Sequence, residues 1–124
     1  MLAPLIFGCE GLRLSNQEAT FFAQSQPFGF ILFSRNLESP AQIKSLCATL
    51  RDSVGWDAPI MIDQEGGRVA RLGEPHWFEF PAALEQANHI NSERLFWLRG
   101  RLIAENLYSN GIDANCAPLG DIAR

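Results

Sequence analysis

Short runs of consecutive apolar residues alternate along the chain with segments in which apolar positions recur every three or four residues. Three unbroken runs cover 5–7, 28–33 and 59–62, and a fourth run over 112–117 is interrupted by polar residues. Apolar runs of this length without strict alternation are typical of strands buried on both faces of a parallel sheet. The pattern therefore predicts four parallel strands.

Three helices are predicted between these strands. Ser15 and Glu18 have the spacing of a capping box, and Ser39 precedes a proline at the first helical position of the second helix. The second helix has one apolar face, at Ile43, Leu46, Cys47 and Leu50. Gly55 is placed to end it, and the third helix is expected over about 92–110. Strands that alternate with helices predict an α/β fold joined by right-handed crossovers.

The amino-acid composition excludes several classes of protein. A hydrophobic share of 47% excludes disorder, and no apolar run approaches the roughly 20 residues that span a bilayer. Ten basic and fourteen acidic side chains give a net charge of −4 without a Lys/Arg cluster, so we expect neither a nucleic-acid partner nor a membrane partner.

Cysteine usage and the first residues point to one compartment. Cys9, Cys47 and Cys116 are odd in number and widely spaced, which argues against a disulfide framework and against a zinc ribbon. The first residues lack the basic segment of a signal peptide. We therefore expect reduced thiols and a cytoplasmic location.

Candidate chemistry is concentrated directly after the third strand, in the segment Asp63-Gln-Glu-Gly-Gly-Arg-Val-Ala-Arg71. Ligands of parallel α/β folds lie at the carboxyl ends of the strands, and paired glycines allow the backbone to approach them closely. A carboxylate here can accept hydrogen bonds from sugar hydroxyls, while an arginine donates from the other side. The alternative is a purely structural turn in which Glu65 and Arg68 pair only with each other or with neighbouring loops. The segment matches neither a phosphate-binding loop nor a dinucleotide fingerprint, and no histidine lies within it to suggest a metal site.

Other candidates carry two interpretations each. His76 and His89 could act as bases, although a surface or capping role is commoner. Arg35 could face the same cleft or form a salt bridge with another loop. Asp113 and Asn115 could point into a ligand site or make structural hydrogen bonds. An aromatic set could wall a ligand site or pack beneath a long loop, namely Trp77, Phe78 and Phe80.

Several of these segments together resemble family 3 glycoside hydrolases, and more closely their bacterial β-N-acetylhexosaminidase branch. The resemblance is carried by 29–36, by Ser39-Pro40 at a helix start, and by the block from Asp63 to Arg71. The sequence Ala117-Pro118-x-x-Asp121-Ile122 is similar to the end of the family's fourth strand. The family fold is a (β/α)8 barrel, so residues 1–124 are expected to be the N-terminal part of one such domain, about four βα units, ending after strand 4.

The resemblance implies roles for two residues. Asp63 matches the aspartate that binds hydroxyls of N-acetylglucosamine, and Arg71 matches an arginine that holds the same sugar. The branch cleaves this sugar from muropeptides during peptidoglycan recycling, without a cofactor or a metal. Its retaining mechanism uses an aspartate nucleophile and a histidine proton donor. Both lie in parts of the family sequence that this chain does not match, so we name no catalytic residue here.

A TIM barrel normally takes about 250 residues. We therefore expect the 124 residues alone to lack hydrolase activity and to expose sheet edges through which copies could associate. Two alternatives remain open, namely a half-barrel that binds amino sugars without cleaving them and a self-associating half-barrel.

Overall fold

Four parallel strands form one sheet in the computed structural model, which describes residues 1–118 and 120. The strands are β1 (Ala3–Phe7), β2 (Pro27–Leu32), β3 (Ile60–Ile62) and β4 (Ala114–Asn115), and they lie side by side in sequence order. The helices are α1 (Asn16–Ser25), α2 (Pro40–Val54), α3 (Ala83–Ala87) and α4 (Ser92–Ser109). The described residues thus contain four parallel strands and three helical crossovers, which confirms the α/β prediction.

The first two helices begin where the sequence predicts. Ser15 Oγ accepts a hydrogen bond from Glu18 N at 3.2 Å, and Glu18 Oε2 accepts one from Ser15 N at 2.9 Å, which completes the capping box. Ser39 Oγ accepts from Gln42 N at 3.3 Å. Helix α2 ends at Gly55, whose φ of 74° is the left-handed conformation that favours glycine.

The core lies between the sheet and the inner face of α2. All four residues of the predicted apolar face of α2 are buried, together with alternating residues of the central strands β2 and β3. Phe22 contributes to the core from α1, whereas its neighbour Ala23 is exposed. No helix in the described part of the chain has both the length and the apolar character needed to cross a bilayer.

Three features differ from the sequence prediction. Helix α3 lies inside what was expected to be a loop, and β4 pairs over two residues of the predicted run 112–117. The sequence pattern of α4 predicts two adjacent apolar stripes, which include Phe96, Leu98 and Leu102. The helix buries one face through Ile103 and Leu107, and those three side chains are at least one-third exposed. The part of the family motif at 121–122 lies outside the described residues.

Candidate functional site

The segment after β3 turns back on itself through two adjacent glycines. Glu65 N and Gly66 N both donate to Val69 O, at 2.9 and 3.0 Å. Gly66 and Gly67 have φ angles of 93° and 62°, a region that other residues rarely adopt. A Cβ on Gly66 would collide with the Arg99 guanidinium, and one on Gly67 would lie 2.8 Å from the Ala82 Cα. The turn therefore requires glycine at both positions.

This turn brings together the two residues that the resemblance assigns to sugar binding. Arg71 Nη2 donates to Asp63 Oδ2 at 3.1 Å. The two side chains are only 26% and 24% exposed, so the pair is shielded from water but still reachable. Glu65 and Arg68 do not form an ion pair in the described structure. The alternative of a turn held by those two residues is thus not what the structure shows.

Two amide side chains flank the pair. Gln64 is buried and hydrogen-bonds the backbone of Arg71 and Leu72, while Asn115 hydrogen-bonds the backbone of Gln64 from the neighbouring strand. From the sequence, Asn115 can have either a ligand-binding or a structural role, and Gln64 has no predicted role. The only available signal was its position inside the Asp63–Arg71 motif.

Arg99 is a further residue that sequence reasoning missed. It lies buried on α4 and donates to Pro81 O at 2.8 Å, to Gln86 Oε1 at 3.0 Å and to Glu65 O. Burial lowers the pKa of this guanidinium below its usual value. Through these contacts Arg99 connects α4 to the glycine turn and to the segment that carries Pro81 and Gln86. Arg99 is one of three arginines on α4, with Arg94 and Arg101, and nothing in the sequence pattern distinguishes it from the other two.

The remaining polar candidates lie elsewhere or serve the fold. Arg35 Nε donates to the Cys9 carbonyl at 3.0 Å, and the predicted salt bridge to another loop is not observed among the described residues. His76 is exposed, and His89 Nδ1 accepts from Asn91 N at 3.1 Å beside the start of α4. Asp113 Oδ2 accepts from Ile60 N at 2.8 Å. This structural contact lies at the amino end of β3, away from the Asp63–Arg71 pair at its carboxyl end.

The aromatic set divides into packing and exposed members. Phe80 is buried and Trp77 packs against the core, which agrees with the packing interpretation. Phe78 is 63% exposed and meets Phe80 edge to face at 5.1 Å. A cavity of about 420 Å³ lies between this loop and the Asp63–Arg71 turn, and Arg71 forms part of its wall.

Cys116 follows β4 at the same end of the sheet as the ion pair. Cys116 is exposed, yet partial desolvation, together with interaction with the Asp63 carboxylate and the nearby charge of Glu65, raises the pKa of its thiol above its usual value. Cys9 and Cys47 are buried, and burial raises the pKa values of their thiols to about 11 and about 12. Among the described residues no cluster of three acidic, histidine or cysteine side chains could hold a metal.

A larger groove of about 1290 Å³ lies beside β4. Its walls are mainly apolar residues of α3, of α4 and of the segment 112–118. The groove is open to solvent, and the exposed side chains of α4 lie along it. Within the described structure, the β4 edge and the adjacent face of α4 therefore have no packing partner.

Comparison with known proteins supplies the family. The chain matches the model of the glycosyl hydrolase family 3 N-terminal domain over residues 5–124. It is 36% identical over 129 aligned residues to a beta-hexosaminidase of Alkalilimnicola ehrlichii, and the alignment covers 100% of this chain and 37% of that protein. The chain thus spans just over a third of the length of this relative.

Solved structures with the same arrangement of strands agree. The structure of NagZ from Neisseria gonorrhoeae in complex with N-trifluoroacetyl-D-glucosamine matches with a TM-score of 0.83 at 29% identity, over 94% of this chain and 36% of that one. A family 3 beta-N-acetylglucosaminidase from Paenibacillus matches with a TM-score of 0.79 at 33% identity, over 91% of this chain and 22% of that one. These matches confirm that the four strands are those of the first half of a TIM-type barrel. A family match that runs from residue 5 to residue 124, on a sheet of the same topology, establishes that this chain belongs to glycosyl hydrolase family 3.

Proposed function

We propose that this chain forms the sugar-holding N-terminal part of a β-N-acetylhexosaminidase that releases terminal N-acetylglucosamine. Residues 1–124 would be one portion of a single barrel domain, with Asp63 and Arg71 in the subsite that binds the sugar to be cleaved. The observation that carries the proposal is the shielded Asp63–Arg71 pair at the carboxyl end of β3, where barrel enzymes bind their ligands.

The chemistry of the pair suits a sugar. A carboxylate accepts hydrogen bonds and a guanidinium donates them in a fixed plane, so together they can satisfy both the donor and the acceptor of adjacent hydroxyls. Arg71 uses one Nη2 contact on Asp63, and its further N–H groups supply donors for hydroxyl oxygens. Mutual pairing also fixes the two side chains relative to each other, which reduces the entropy lost when they bind a sugar.

The reacting groups are assigned to a part of the protein outside this chain. In the family mechanism an aspartate attacks the sugar and a histidine transfers the proton, which leaves Asp63 as a binding carboxylate and not the nucleophile. Within this chain the residues therefore bind and orient the sugar. The substrate we propose is a muropeptide of the bacterial cell wall, processed in the cytoplasm during peptidoglycan recycling.

The test is a titration of the isotopically labelled 124-residue chain with N-acetylglucosamine, followed by amide chemical shifts. Saturable shifts are expected in the turn between Asp63 and Arg71. Asp63→Asn and Arg71→Lys should each weaken binding by about tenfold or more, because a hydrogen bond to a charged group contributes about 1.5–3 kcal/mol.

Asp57 provides a matched control. Its carboxylate pairs with Arg51 Nε at 2.9 Å in an exposed position between α2 and β3. Asp57→Asn should leave the affinity unchanged. Equal affinity for wild type, Asp63→Asn and Arg71→Lys would remove the ion pair from the sugar site, and the absence of any saturable shift would refute sugar binding by this chain.

A further inference from the structure

Gln64 uses its whole side chain to hold the backbone next to Arg71. Its Oε1 accepts from Arg71 N at 2.8 Å and from Leu72 N at 2.9 Å, and its Nε2 donates to Leu72 O at 2.9 Å. The side chain is buried, with 3% of the residue exposed. An amide that accepts and donates in this way reproduces the hydrogen bonds of a neighbouring strand, so the returning segment is held as if it were part of a sheet.

Asn115 holds Gln64 in the same manner from the next strand. Its Oδ1 accepts from Gln64 N and its Nδ2 donates to Gln64 O, both at 2.8 Å. The backbone ladder between β3 and β4 ends nearby, with Ile62 opposite Asn115 and Cys116 N donating to Ile62 O at 2.9 Å. The Asn115 amide thus extends the pairing to Gln64, two residues beyond Ile62, the last paired position of β3.

The two amides together fix both ends of the ion pair. Asp63 lies between Ile62 and Gln64, whose backbones are both bound to β4, so its Cα is anchored on either side. The backbone of Arg71 is anchored to the Gln64 side chain. The segment that carries Arg71 belongs to no strand or helix, so these side-chain hydrogen bonds replace the regular structure that would otherwise hold it.

We propose that Gln64, supported by Asn115, is a positioning residue that sets the orientation of Arg71 relative to Asp63. This inference rests on the proposed function, because the consequence of the orientation is the affinity for the sugar. Displacement of a binding group by about 1 Å can reduce the productive interaction many-fold. The amide is needed because it offers an acceptor to two N–H groups and a donor to one carbonyl at the same time. Methionine offers neither, and a glutamate carboxylate places an acceptor against the Leu72 carbonyl.

Gln42 is the matched control within the same chain. Its side chain also makes three hydrogen bonds to backbone, accepting from Glu38 N at 2.9 Å and donating to Leu12 O at 2.8 Å and to Asn36 O at 3.0 Å. It lies at the start of α2, and none of its hydrogen bonds involves the ion pair. Gln42→Met therefore removes the same number of contacts without affecting Arg71.

The first arm of the experiment needs no sugar. Rotation of the Arg71 guanidinium about its C–N bonds is measured by nitrogen NMR in wild type, Gln64→Met, Gln64→Glu and Gln42→Met. Rotation should be restricted in wild type and in Gln42→Met, and faster in both Gln64 variants. Two Gln64 variants are used so that a failure of one to fold leaves the other to decide. Unchanged rotation in a folded Gln64 variant would overturn the proposal.

The second arm measures affinity for N-acetylglucosamine in a double-mutant cycle. Gln64→Met should weaken binding by about tenfold in the wild-type background, which corresponds to the loss of about 1.4 kcal/mol, and should cause no further loss in the Arg71→Ala background. The same loss in both backgrounds would show that Gln64 acts independently of Arg71 and would overturn the proposal. If Arg71→Ala itself binds as wild type does, the proposed function fails, and the rotation measurement still decides the role of Gln64.

Discussion

At the scale of single residues, the Cys116 thiol is a built-in reporter of the Asp63 carboxylate. Partial desolvation and the neighbouring Asp63 charge raise the pKa of this thiol, and only the thiolate reacts with alkylating reagents. Removing the charge in Asp63→Asn should lower the pKa of Cys116 and increase the thiolate fraction at a given pH. The midpoint of the alkylation rate against pH is therefore expected to move to lower pH.

The other two thiols do not obscure this measurement. Cys9 and Cys47 are buried, and burial raises their pKa values to about 11 and about 12, which keeps them protonated and inaccessible at mildly alkaline pH. Asp57→Asn should leave the midpoint where it is in wild type. An identical midpoint in Asp63→Asn and wild type would contradict the placement of Cys116 beside Asp63.

The residues of the candidate site were predictable to the extent that they share one short segment. Asp63 and Arg71 lie eight positions apart in a motif, so the sequence alone could place them on one turn. The residues that support the turn come from far along the chain. Asn115 reaches Gln64 across 51 positions, and Arg99 reaches Glu65 across 34. Such partners are set by the tertiary fold, and no local pattern in one sequence specifies them.

At the scale of elements, capping signals predict α1 and α2 and a long apolar pattern predicts α4, whose N-cap makes no side-chain hydrogen bond, whereas the short α3 is not predicted. α1 and α2 begin at serine caps whose side chains make the expected hydrogen bonds, so local chemistry was sufficient to place them. α3 has five residues and an alanine at its N-cap without a side-chain hydrogen bond. It forms because the segment packs between the glycine turn and α4, which is a tertiary cause.

How well each strand is predicted depends on how apolar its sequence is. The apolar runs of β2 and β3 are recognisable because most of their residues are buried, although Phe28 is exposed and Ile31 and Met61 are half-buried. Asp113 precedes β4 and Asn115 ends it, and the side chains of both accept hydrogen bonds from the backbone of Ile60 and Gln64. They add to the backbone bonds from Asp113 N to Ile60 O and from Cys116 N to Ile62 O. The regular part of β4 covers two residues of the predicted run.

At the scale of the whole molecule, both outer strands and one large face have no partner in the described structure. Near β1 the exposed apolar side chains are Leu2, Leu5 and Ile6, and on α4 they include Trp97, Leu102 and Tyr108. Exposed apolar surface beside an open sheet edge favours association. We propose that the chain on its own associates with a second copy through these surfaces.

Sedimentation equilibrium tests this association. The purified chain should be heavier than its 13.8 kDa monomer at micromolar concentration. Leu5→Lys, which places a charge on the outer side of β1, should shift the equilibrium towards the monomer, whereas Lys44→Gln on α2 should not. A strictly monomeric wild-type chain over the accessible concentration range would contradict the proposal.

In the proposed division of roles, this chain binds the sugar and the reacting groups come from elsewhere in the protein. Hydrolysis of a nitrophenyl N-acetyl-β-D-glucosaminide by purified chain tests this proposal, in the same sample that is titrated with N-acetylglucosamine. We expect saturable sugar binding with no release of nitrophenol above the buffer control. Turnover above that control, abolished by Asp63→Asn, would refute the proposal, because it would place the catalytic machinery within these 124 residues.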